Sequence, residues 1–385
     1  MSRDFDRLAR VPRSGIRDIF DRALRVPDAI HLEIGAPDFD TPEHIVEAAA
    51  KAARDGFTRY TATAGLASLR DLLAEKVRTR NAMPCAPENV VCAAGGCSAI
   101  HATLAVLIGP GEGVLIPDPA WPVYAMSVEA LGGEIQRYPL LRDEGFEPDL
   151  DAIEALVKPT TRVLITNSPG NPTGGVHRRE TVEALVELAE RHDLWLISDE
   201  AYEDFVFEGE HVTAAALDGA SDRVIGAYTF SKSYAMTGWR LGYVVAPGPV
   251  AAAVTLALEP LIACASSISQ KAGEAAIAGP QDHIEVFRDA FKRRRDMAVA
   301  LLDREGVPYI RPEGAFYLVV DVPGEGADST VFAYRLLDDG HVAVAPGAAF
   351  GPLGEGMQRV SICASDEDLE TGLLRLARAR DEVPA

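Results

Sequence analysis

The sequence predicts an α/β fold in which a mainly parallel sheet carries helices on both faces and is followed by a smaller α+β domain. Short apolar runs alternate with amphipathic helical periods over about the first 280 residues. Strands and helices that alternate in this way form parallel sheets covered on both sides. Beyond that point, one long helical period leads into three apolar runs and two further helices. A chain of 385 residues also exceeds the usual size of a single core, so two domains are expected.

The strand candidates are short apolar runs, and the helix candidates are longer segments with helical periodicity. The strands predicted in the larger domain are 89–94, 113–117, 162–166, 194–198, 223–229 and 242–246, and those in the smaller domain are 314–322, 341–351 and 358–365. The predicted helices are 44–56, 66–81, 97–108, 121–131, 178–193, 282–305, 329–338 and 366–380. Thr41 and Pro42 indicate the start of the first helix, and Gly56 and Gly340 are expected to end two of them.

Composition argues against several classes of protein. The formal net charge of −21 disfavours a nucleic-acid partner, since proteins that bind phosphate backbones carry a basic face. No uncharged apolar stretch is long enough to cross a membrane, and the charged first residues show no signal peptide. The five cysteines lack the spacing of a metal site and indicate reduced thiols. We therefore expect a cytoplasmic enzyme with no metal, no membrane contact and no nucleic-acid partner.

Chemically unusual residues follow five of the predicted strands, at the point where each strand ends. The segments concerned are GGCS, DPAW, NSPGNPTGG, DEAY and FSK. Ligands of open α/β sheets bind outside the carboxyl ends of the strands. Five loops are therefore expected to meet at one crevice.

Lys232 stands in the last of these loops, between apolar segments. A lysine near low-dielectric walls and a second cation should have a lowered pKa, which makes its amine nucleophilic at neutral pH. Thr229 and Ser231 offer hydroxyl groups and Arg240 offers a bidentate fork, and both kinds of group suit a phosphate. Asp199 follows an apolar strand, where a carboxylate is costly unless it is paired, although by itself it also fits a helix N-cap. One aldehyde cofactor, pyridoxal 5′-phosphate, accounts for all of these residues together.

With these residues in place, the chain resembles the class I/II aminotransferases of pyridoxal-phosphate fold type I. The resemblance runs from GIRDIF and GAPDFDTP through YTATAGLASLR to QRVSICAS, and its most specific segments are SKSYAMTGWRLGY and NSPGNPTGG. It implies a seven-stranded, mainly parallel sheet. The implied division is an N-terminal segment, 1–42, that packs with the small domain, a large cofactor-binding domain, 43–281, and a small C-terminal domain, 282–385. It also implies cis peptide bonds before Pro119 and Pro172.

The resemblance assigns the catalytic residues. Lys232 would bind the cofactor covalently and move the substrate proton, and Asp199 would pair with the ring nitrogen. Tyr202 and Asn171 would hydrogen-bond the ring hydroxyl oxygen, and Trp121 would stack on the ring. The reaction implied is transfer of an amino group from an L-amino acid to a 2-oxo acid by a ping-pong mechanism through pyridoxamine phosphate.

The same resemblance assigns the cofactor phosphate to a cradle at one strand–helix junction. Its implied ligands are the backbone N–H groups of Gly96 and Cys97, together with the side chains of Thr229, Ser231 and Arg240. A helix start of this kind offers unpaired N–H groups and a positive dipole end, although Gly-Gly at such a junction is often only a tight turn.

Substrate and subunit contacts are implied as well. Arg359 would bind the substrate α-carboxylate, Gly35 would offer a backbone contact, and Ile16 a side-chain contact, beside Trp121 and Asn171. Tyr60 would reach the phosphate of the neighbouring subunit, which makes a homodimer necessary for activity.

Three other functions are compatible with parts of the pattern. The scaffold also hosts C–S lyases, which release ammonia instead of a second amino acid. Aminotransferase-like regulators need a DNA-binding domain before GAPDF, and only about 30 residues precede it. A nicotinamide dehydrogenase would need a G-x-G-x-x-G after an early strand, and none follows one in this sequence.

The resemblance also bears on substrate preference. Cys97 occupies a position at which some bacterial aspartate aminotransferases have a lysine, which argues against a preference for aspartate.

Overall fold

The structure is a computed structural model that describes residues 11, 14–220, 222–324 and 328–381. Within those residues, the strands assemble into an eight-stranded sheet, a four-stranded sheet and a two-stranded ribbon. In chain order the strands are β1 Ile30–His31, β2 Val90–Ala93, β3 Gly113–Asp118, β4 Glu134–Leu141, β5 Glu147–Pro148, β6 Thr161–Asn167, β7 Trp195–Asp199, β8 Val224–Thr229, β9 Gly242–Val245, β10 Tyr309–Ile310, β11 Tyr317–Asp321, β12 Val342–Ala343, β13 Ala345–Pro346 and β14 Met357–Ser361.

The large sheet has the order β2-β9-β8-β7-β6-β3-β4-β5. Strands β4, β3, β6, β7 and β8 pair in parallel. Strand β9 runs antiparallel to both of its neighbours, so β2 points the same way as β8. The carboxyl ends of β2, β3, β6, β7 and β8 consequently lie at one edge of the sheet, as the sequence predicts.

All six strands predicted for this sheet are present, and two were missed. The seventh strand, β4, has the sequence EIQRYPLL and is mostly half-buried. Its polar side chains give it no apolar run, because it lies near the edge of the sheet. The eighth, β5, is a two-residue partner antiparallel to β4. The mainly parallel seven-stranded sheet is therefore confirmed, with one short strand added at its edge.

Twelve α-helices cover the sheets in the part of the chain that the structure describes. They are α1 Gly15–Ala23, α2 Glu43–Arg54, α3 Ala67–Arg80, α4 Gly96–Leu107, α5 Val123–Leu131, α6 Leu150–Leu156, α7 Arg179–Arg191, α8 Gly248–Ile262, α9 Ser267–Ala278, α10 Asp282–Arg304, α11 Ser329–Gly340 and α12 Asp366–Asp381. The eight predicted helices agree within about two residues at each end, whereas α1, α6, α8 and α9 were not predicted. Gly56 adopts φ +87° after α2, but the left-handed residue that ends α11 is His341 rather than Gly340.

Apolar side chains fill both faces of the large sheet. One cluster joins α2, α3, α7 and α9 to one face, and a second joins α4, α5 and α8 to the other. A third surrounds the four-stranded sheet β10-β11-β14-β13 and includes α10, α11 and α12. Helix α8 is apolar but carries Glu259 and Pro260. No helix of the described residues has the length and apolarity that a membrane span requires.

The N-terminal segment lies against the four-stranded sheet, where the Ser361 N–H of β14 donates to the Leu32 carbonyl oxygen. Strand β1 pairs in parallel with β12. Farther along, Asp38 accepts two hydrogen bonds from Arg294 of α10, each 2.7 Å long. The Arg294 side chain is only 8% exposed and also contacts Asp366, at the start of α12. This bidentate ion pair anchors the segment that contains Gly35 and Asp38.

Replacing Arg294 by glutamine should lower the free energy of unfolding by about 1–3 kcal/mol, because the half-buried carboxylate of Asp38 loses its partner. Denaturation in urea measures the change. The matched control is Arg293→Gln, whose side chain is 58% exposed and also contacts Asp366. That change should cost no more than about 0.5 kcal/mol. Equal losses for the two variants would show that burial of Arg294 does not stabilise the protein.

Candidate active site

A cavity of about 290 Å³ opens at the carboxyl edge of the large sheet. Every site residue predicted from the sequence lines it, except Tyr60. These residues are Ile16, Gly35, Gly96, Cys97, Trp121, Asn171, Asp199, Tyr202, Thr229, Ser231, Lys232, Arg240 and Arg359. A larger cavity, of about 540 Å³ and lined in part by Arg80 and Glu203, contains none of them.

Strand register brings the central residues together. Asn167 at the end of β6 pairs with Asp199 at the end of β7, and Asp199 pairs with Ala227 of β8. Thr229 at the end of β8 pairs with Gly242 of β9. The connection between β8 and β9, which carries Lys232 and Arg240, therefore leaves and re-enters the sheet at the same edge.

Lys232 lies at the centre of the cavity, in an apolar and cationic environment. Its Nζ atom is 5.6 Å from the ring centroid of Phe316 and 5.9 Å from that of Tyr202. The ammonium donates a hydrogen bond to the Gly35 carbonyl oxygen. Burial above all, together with the charge of Arg359, lowers the pKa of Lys232 to about 8. About a tenth of the amine is therefore unprotonated at pH 7, far more than for an exposed lysine, and nucleophilic chemistry requires this form.

Asp199 is buried, and two hydrogen bonds hold its carboxylate while a third holds its backbone. Oδ2 accepts a 2.6 Å hydrogen bond from the Tyr124 hydroxyl, and Oδ1 accepts one from the Ala201 backbone N–H. The Asn167 side chain donates to the Asp199 carbonyl oxygen over 2.9 Å. Burial raises the pKa of Asp199 to about 6, although the Tyr124 hydrogen bond opposes that rise. The charged form consequently needs a cationic partner, and a protonated ring nitrogen would be one.

The start of helix α4 forms an anion cradle. Gly95 has φ +83° and ψ 173°, a backbone conformation that residues with a side chain rarely adopt, so the turn into α4 favours glycine. The N–H groups of the first helical turn have no intrahelical acceptors. Thr229 Oγ1 and Ser231 Oγ lie 2.9 Å apart at the same point. Arg240 is exposed toward this cradle, which combines a helix N-terminus, two hydroxyl groups and a guanidinium.

Arg359, on β14, approaches the cavity from the four-stranded sheet. The guanidinium is stacked on Tyr317, at 4.4 Å from its ring centroid. Nη1 donates a 3.0 Å hydrogen bond to Oδ1 of Asn171, and Nη2 donates to the carbonyl oxygen of Glu33. Nε is buried and has no hydrogen-bond partner among the described residues. A buried guanidinium with a free donor suits a carboxylate ligand.

Four residues that line or support the site were not singled out from the sequence: Tyr124, Asn167, Tyr317 and Ile34. Tyr124 lies in α5, and its contact with Asp199 spans 75 positions of the chain. The hydroxyl groups of Tyr317 and Tyr202 share a hydrogen bond 2.9 Å long. Ile34 precedes Gly35 in the chain. Only Asn167 had a sequence signal, because it directly precedes the SPGNPTGG loop.

Backbone conformation follows the sequence expectations at the prolines. The bonds Asp118–Pro119 and Asn171–Pro172 are both cis, which confirms the two predictions, and Ser168–Pro169 is a third cis bond.

Tyr60 is the one predicted site residue that the fold does not bring into the cavity. Its side chain is on the surface, with 88% of the residue exposed. The five cysteines, all within the described ranges, are free thiols, and three of them are buried.

Together, the lysine, the facing carboxylate and the anion cradle at a parallel-sheet edge define a pyridoxal-phosphate enzyme of fold type I. The residues fit that cofactor: Lys232 for its aldehyde, Asp199 for its ring nitrogen and the α4 cradle for its phosphate. A profile of the family "Aminotransferase class I and II" matches residues 27–376. The chain belongs to this family and is a pyridoxal-phosphate-dependent aminotransferase.

Relatives and solved structures agree with this assignment over nearly the whole chain. An arginine–pyruvate transaminase of Pseudomonas aeruginosa is 38% identical, covering 95% of this chain and 94% of the relative. An aspartate/prephenate aminotransferase of Thermus thermophilus is 37% identical, covering 91% of each chain. The crystal structure of an aspartate aminotransferase from Thermus thermophilus with maleate superposes with a TM-score of 0.93 at 35% identity, covering 98% of this chain and 100% of the other.

The lowered pKa of Lys232 predicts the pH dependence of cofactor attachment. Only the neutral amine attacks an aldehyde, so covalent attachment to the apoprotein should accelerate as pH rises toward about 8 and then level off. Below that pH the rate should fall about tenfold per pH unit, in proportion to the unprotonated fraction. Stopped-flow absorbance of apoprotein mixed with pyridoxal 5′-phosphate measures the rate. A rate that keeps rising to pH 10 would contradict the effect of burial.

Proposed function

We propose that this aminotransferase moves an amino group from an L-amino acid to a 2-oxo acid in two half-reactions, with Lys232 as cofactor anchor and proton carrier. The observation that carries the proposal is the half-buried lysine, whose pKa is lowered to about 8, in one cavity with Asp199 and Arg359. When bound, pyridoxal 5′-phosphate supplies an aldehyde for amines and a ring that accepts electrons. Lys232 then takes the proton from the substrate Cα, because a neutral amine is a competent base.

Asp199 holds a proton on the cofactor ring nitrogen in this proposal. Two hydrogen bonds orient its carboxylate, from Tyr124 and from the Ala201 backbone. Asn171 accepts from Arg359 through Oδ1, which leaves its Nδ2 group to donate to the ring hydroxyl oxygen. Tyr202 offers a second donor to that oxygen. These groups fix the ring so that electron density is drawn toward the nitrogen.

Trp121 and the α4 cradle would fix the position of the cofactor. The Trp121 ring lies edge-on to Tyr124, with centroids 5.6 Å apart, and supplies a flat apolar wall for stacking. The phosphate would accept from the Gly96 and Cys97 backbone N–H groups and from Thr229, Ser231 and Arg240.

Arg359 would bind the substrate α-carboxylate bidentately, with its free Nε and one Nη group as donors. The segment at Gly35 completes the site, because a Cβ atom at that position would lie 1.8 Å from the Tyr317 hydroxyl oxygen. The backbone carbonyl of Gly35 can therefore approach Lys232 and the substrate as no larger residue would allow.

A homodimer would complete the site through Tyr60, whose exposed ring is available to the phosphate of a second subunit. Exposed apolar residues Phe57, Leu256 and Leu261 support a surface that a partner covers. Sedimentation of the fully active enzyme as a monomer would contradict this arrangement.

The free thiols support a cytoplasmic location. The segment 1–42 and the domains 43–281 and 282–385 remain the proposed division.

Lys232→Ala should reduce kcat by about 10⁴-fold, since it removes both the covalent anchor and the general base. Borohydride should label the parent protein at position 232 and leave this variant unlabelled. Lys158→Ala is the control, because Lys158 is an exposed lysine paired with Glu134, and it should retain parental activity. Product analysis separates the reaction types: a transaminase passes the amino group to the 2-oxo acid and forms a second amino acid, whereas a lyase releases the amino group as ammonia. Full turnover by Lys232→Ala would refute the mechanism.

Arg359→Lys should raise KM for the amino acid at least about tenfold, because an ammonium cannot reproduce the bidentate fork. The effect on kcat should be smaller, since the carboxylate is bound in both ground and transition states. Arg293→Lys, on the exposed face of α10, serves as the control and should leave KM unchanged. Steady-state kinetics with a saturating 2-oxo acid measures both constants. An unaltered KM in Arg359→Lys would show that the α-carboxylate binds elsewhere.

A further inference from the structure

The charged side chains that line the cavity are fully accounted for by the proposed function, on which this inference rests. Among the described residues they are Asp199, Lys232, Arg240 and Arg359. Asp199 and Arg240 serve the ring nitrogen and the phosphate, Lys232 the reacting atoms, and Arg359 the α-carboxylate. No charged side chain that one subunit contributes to the described lining is left to pair with a substrate side chain.

The wall that faces the substrate comes from the N-terminal segment. The carbonyl oxygen of Glu33 accepts from Arg359, and that of Gly35 accepts from Lys232. A substrate held between these two cations consequently lies along residues 33–35. Ile34 and Ala36, on either side of Gly35, line the cavity together with Ile16 at the start of α1.

The charged residues near this wall lie outside the cavity lining. The Glu33 side chain is fully buried, with Oε1 2.8 Å from Nδ1 of His31 and Oε2 without a hydrogen-bond partner among the described residues. Asp38 is bound bidentately by Arg294. Arg17, beside Ile16, is exposed and stacked on Phe20, 5.3 Å from the ring centroid. None of them lines the cavity.

We infer that the substrate side-chain site selects amino acids with uncharged, apolar side chains. A side-chain carboxylate or guanidinium bound against Ile16, Ile34 and Ala36 would lose its hydration without gaining a counter-ion, which is strongly unfavourable. An aliphatic or aromatic side chain gains from the same burial. The Cys97 thiol adds no charge, because burial raises its pKa. The selectivity therefore differs from that named for the aspartate and arginine aminotransferases among the relatives.

The direct test is the first half-reaction of the holoenzyme with a panel of amino acids. Loss of the cofactor absorption band measures its rate. Leucine, methionine and phenylalanine should react with kcat/KM about 100-fold or more above aspartate, glutamate, arginine and lysine. Preference for an acidic or basic amino acid would overturn the inference and leave the aminotransferase function intact. If no amino acid changed the band, the proposed function itself would fail and the inference with it.

Binding of unreactive acids gives a second readout that does not depend on turnover or on a variant. In calorimetric titrations, 4-methylpentanoate should bind the parent holoenzyme at least about tenfold more tightly than maleate, because only maleate brings a second charge to the apolar wall. Tighter binding of maleate would overturn the inference.

A matched pair of variants links the selectivity to the wall. Ile16→Arg introduces a cation into the cavity and should raise kcat/KM for aspartate at least about tenfold while lowering that for leucine. Leu24→Arg adds the same charge directly after the last residue of α1, at a position that is 63% exposed. It should leave the ratio of kcat/KM for aspartate to that for leucine unchanged. An equal change of the ratio in both variants, or none in Ile16→Arg, would show that this wall does not contact the side chain.

Discussion

Removal of Lys232 from water is the constraint on which the site depends. Burial disfavours the charged forms of Lys232 and Asp199 alike, so that their pKa values move from 10.5 and 3.8 to about 8 and about 6. Both groups therefore titrate close to neutrality, the lysine as a base that readily releases its proton and the aspartate as a carboxylate that readily accepts a cationic partner. Neither property would arise on an exposed loop, where both groups would remain fully ionised near neutral pH. The rest of the architecture can be understood as the means of excluding water from these two side chains while holding them in register.

Sheet topology provides that register. Because Thr229 pairs with Gly242, the whole β8–β9 connection begins and ends at one sheet edge, and its two isolated cations must both lie there. Lys232 is directed toward the buried centre, whereas Arg240, eight positions later, remains exposed beside the start of α4. Arg240 has φ +54°, an unusual conformation for a residue with a side chain. In the proposed function, the lone lysine and the lone arginine of this apolar stretch serve two ends of one ligand, an aldehyde and a phosphate.

The sequence was sufficient for those parts of the molecule whose signal is local. Helices with strong periodicity and strands with continuous apolar runs were predicted well, and so was the meeting of five loops, since parallel strands have only one carboxyl edge. Strand β4 was missed because its residues are half-buried and alternate irregularly. Tyr124 and Tyr317 were missed for a different reason. Each acts through a contact with a residue at least 75 positions away, with Asp199 and Tyr202 respectively, and a buried tyrosine in a helix or strand has no local feature that distinguishes it from core.

The N-terminal segment shows why selectivity should reside in apolar contacts rather than in hydrogen bonds. Three cations from three separate elements hold residues 33–38: Arg359 on the Glu33 carbonyl, Lys232 on the Gly35 carbonyl and Arg294 on Asp38. A substrate that engages Arg359 and Lys232 exchanges one set of acceptors for another, and such exchanges yield little net free energy. All amino acids offer the same α-carboxylate and α-amine to these cations, so those groups cannot discriminate among substrates. Discrimination must come from what lies beyond the Cα atom, and in the substrate position that we infer, the chain presents Ile16, Ile34 and Ala36, whose contribution is the burial of apolar surface.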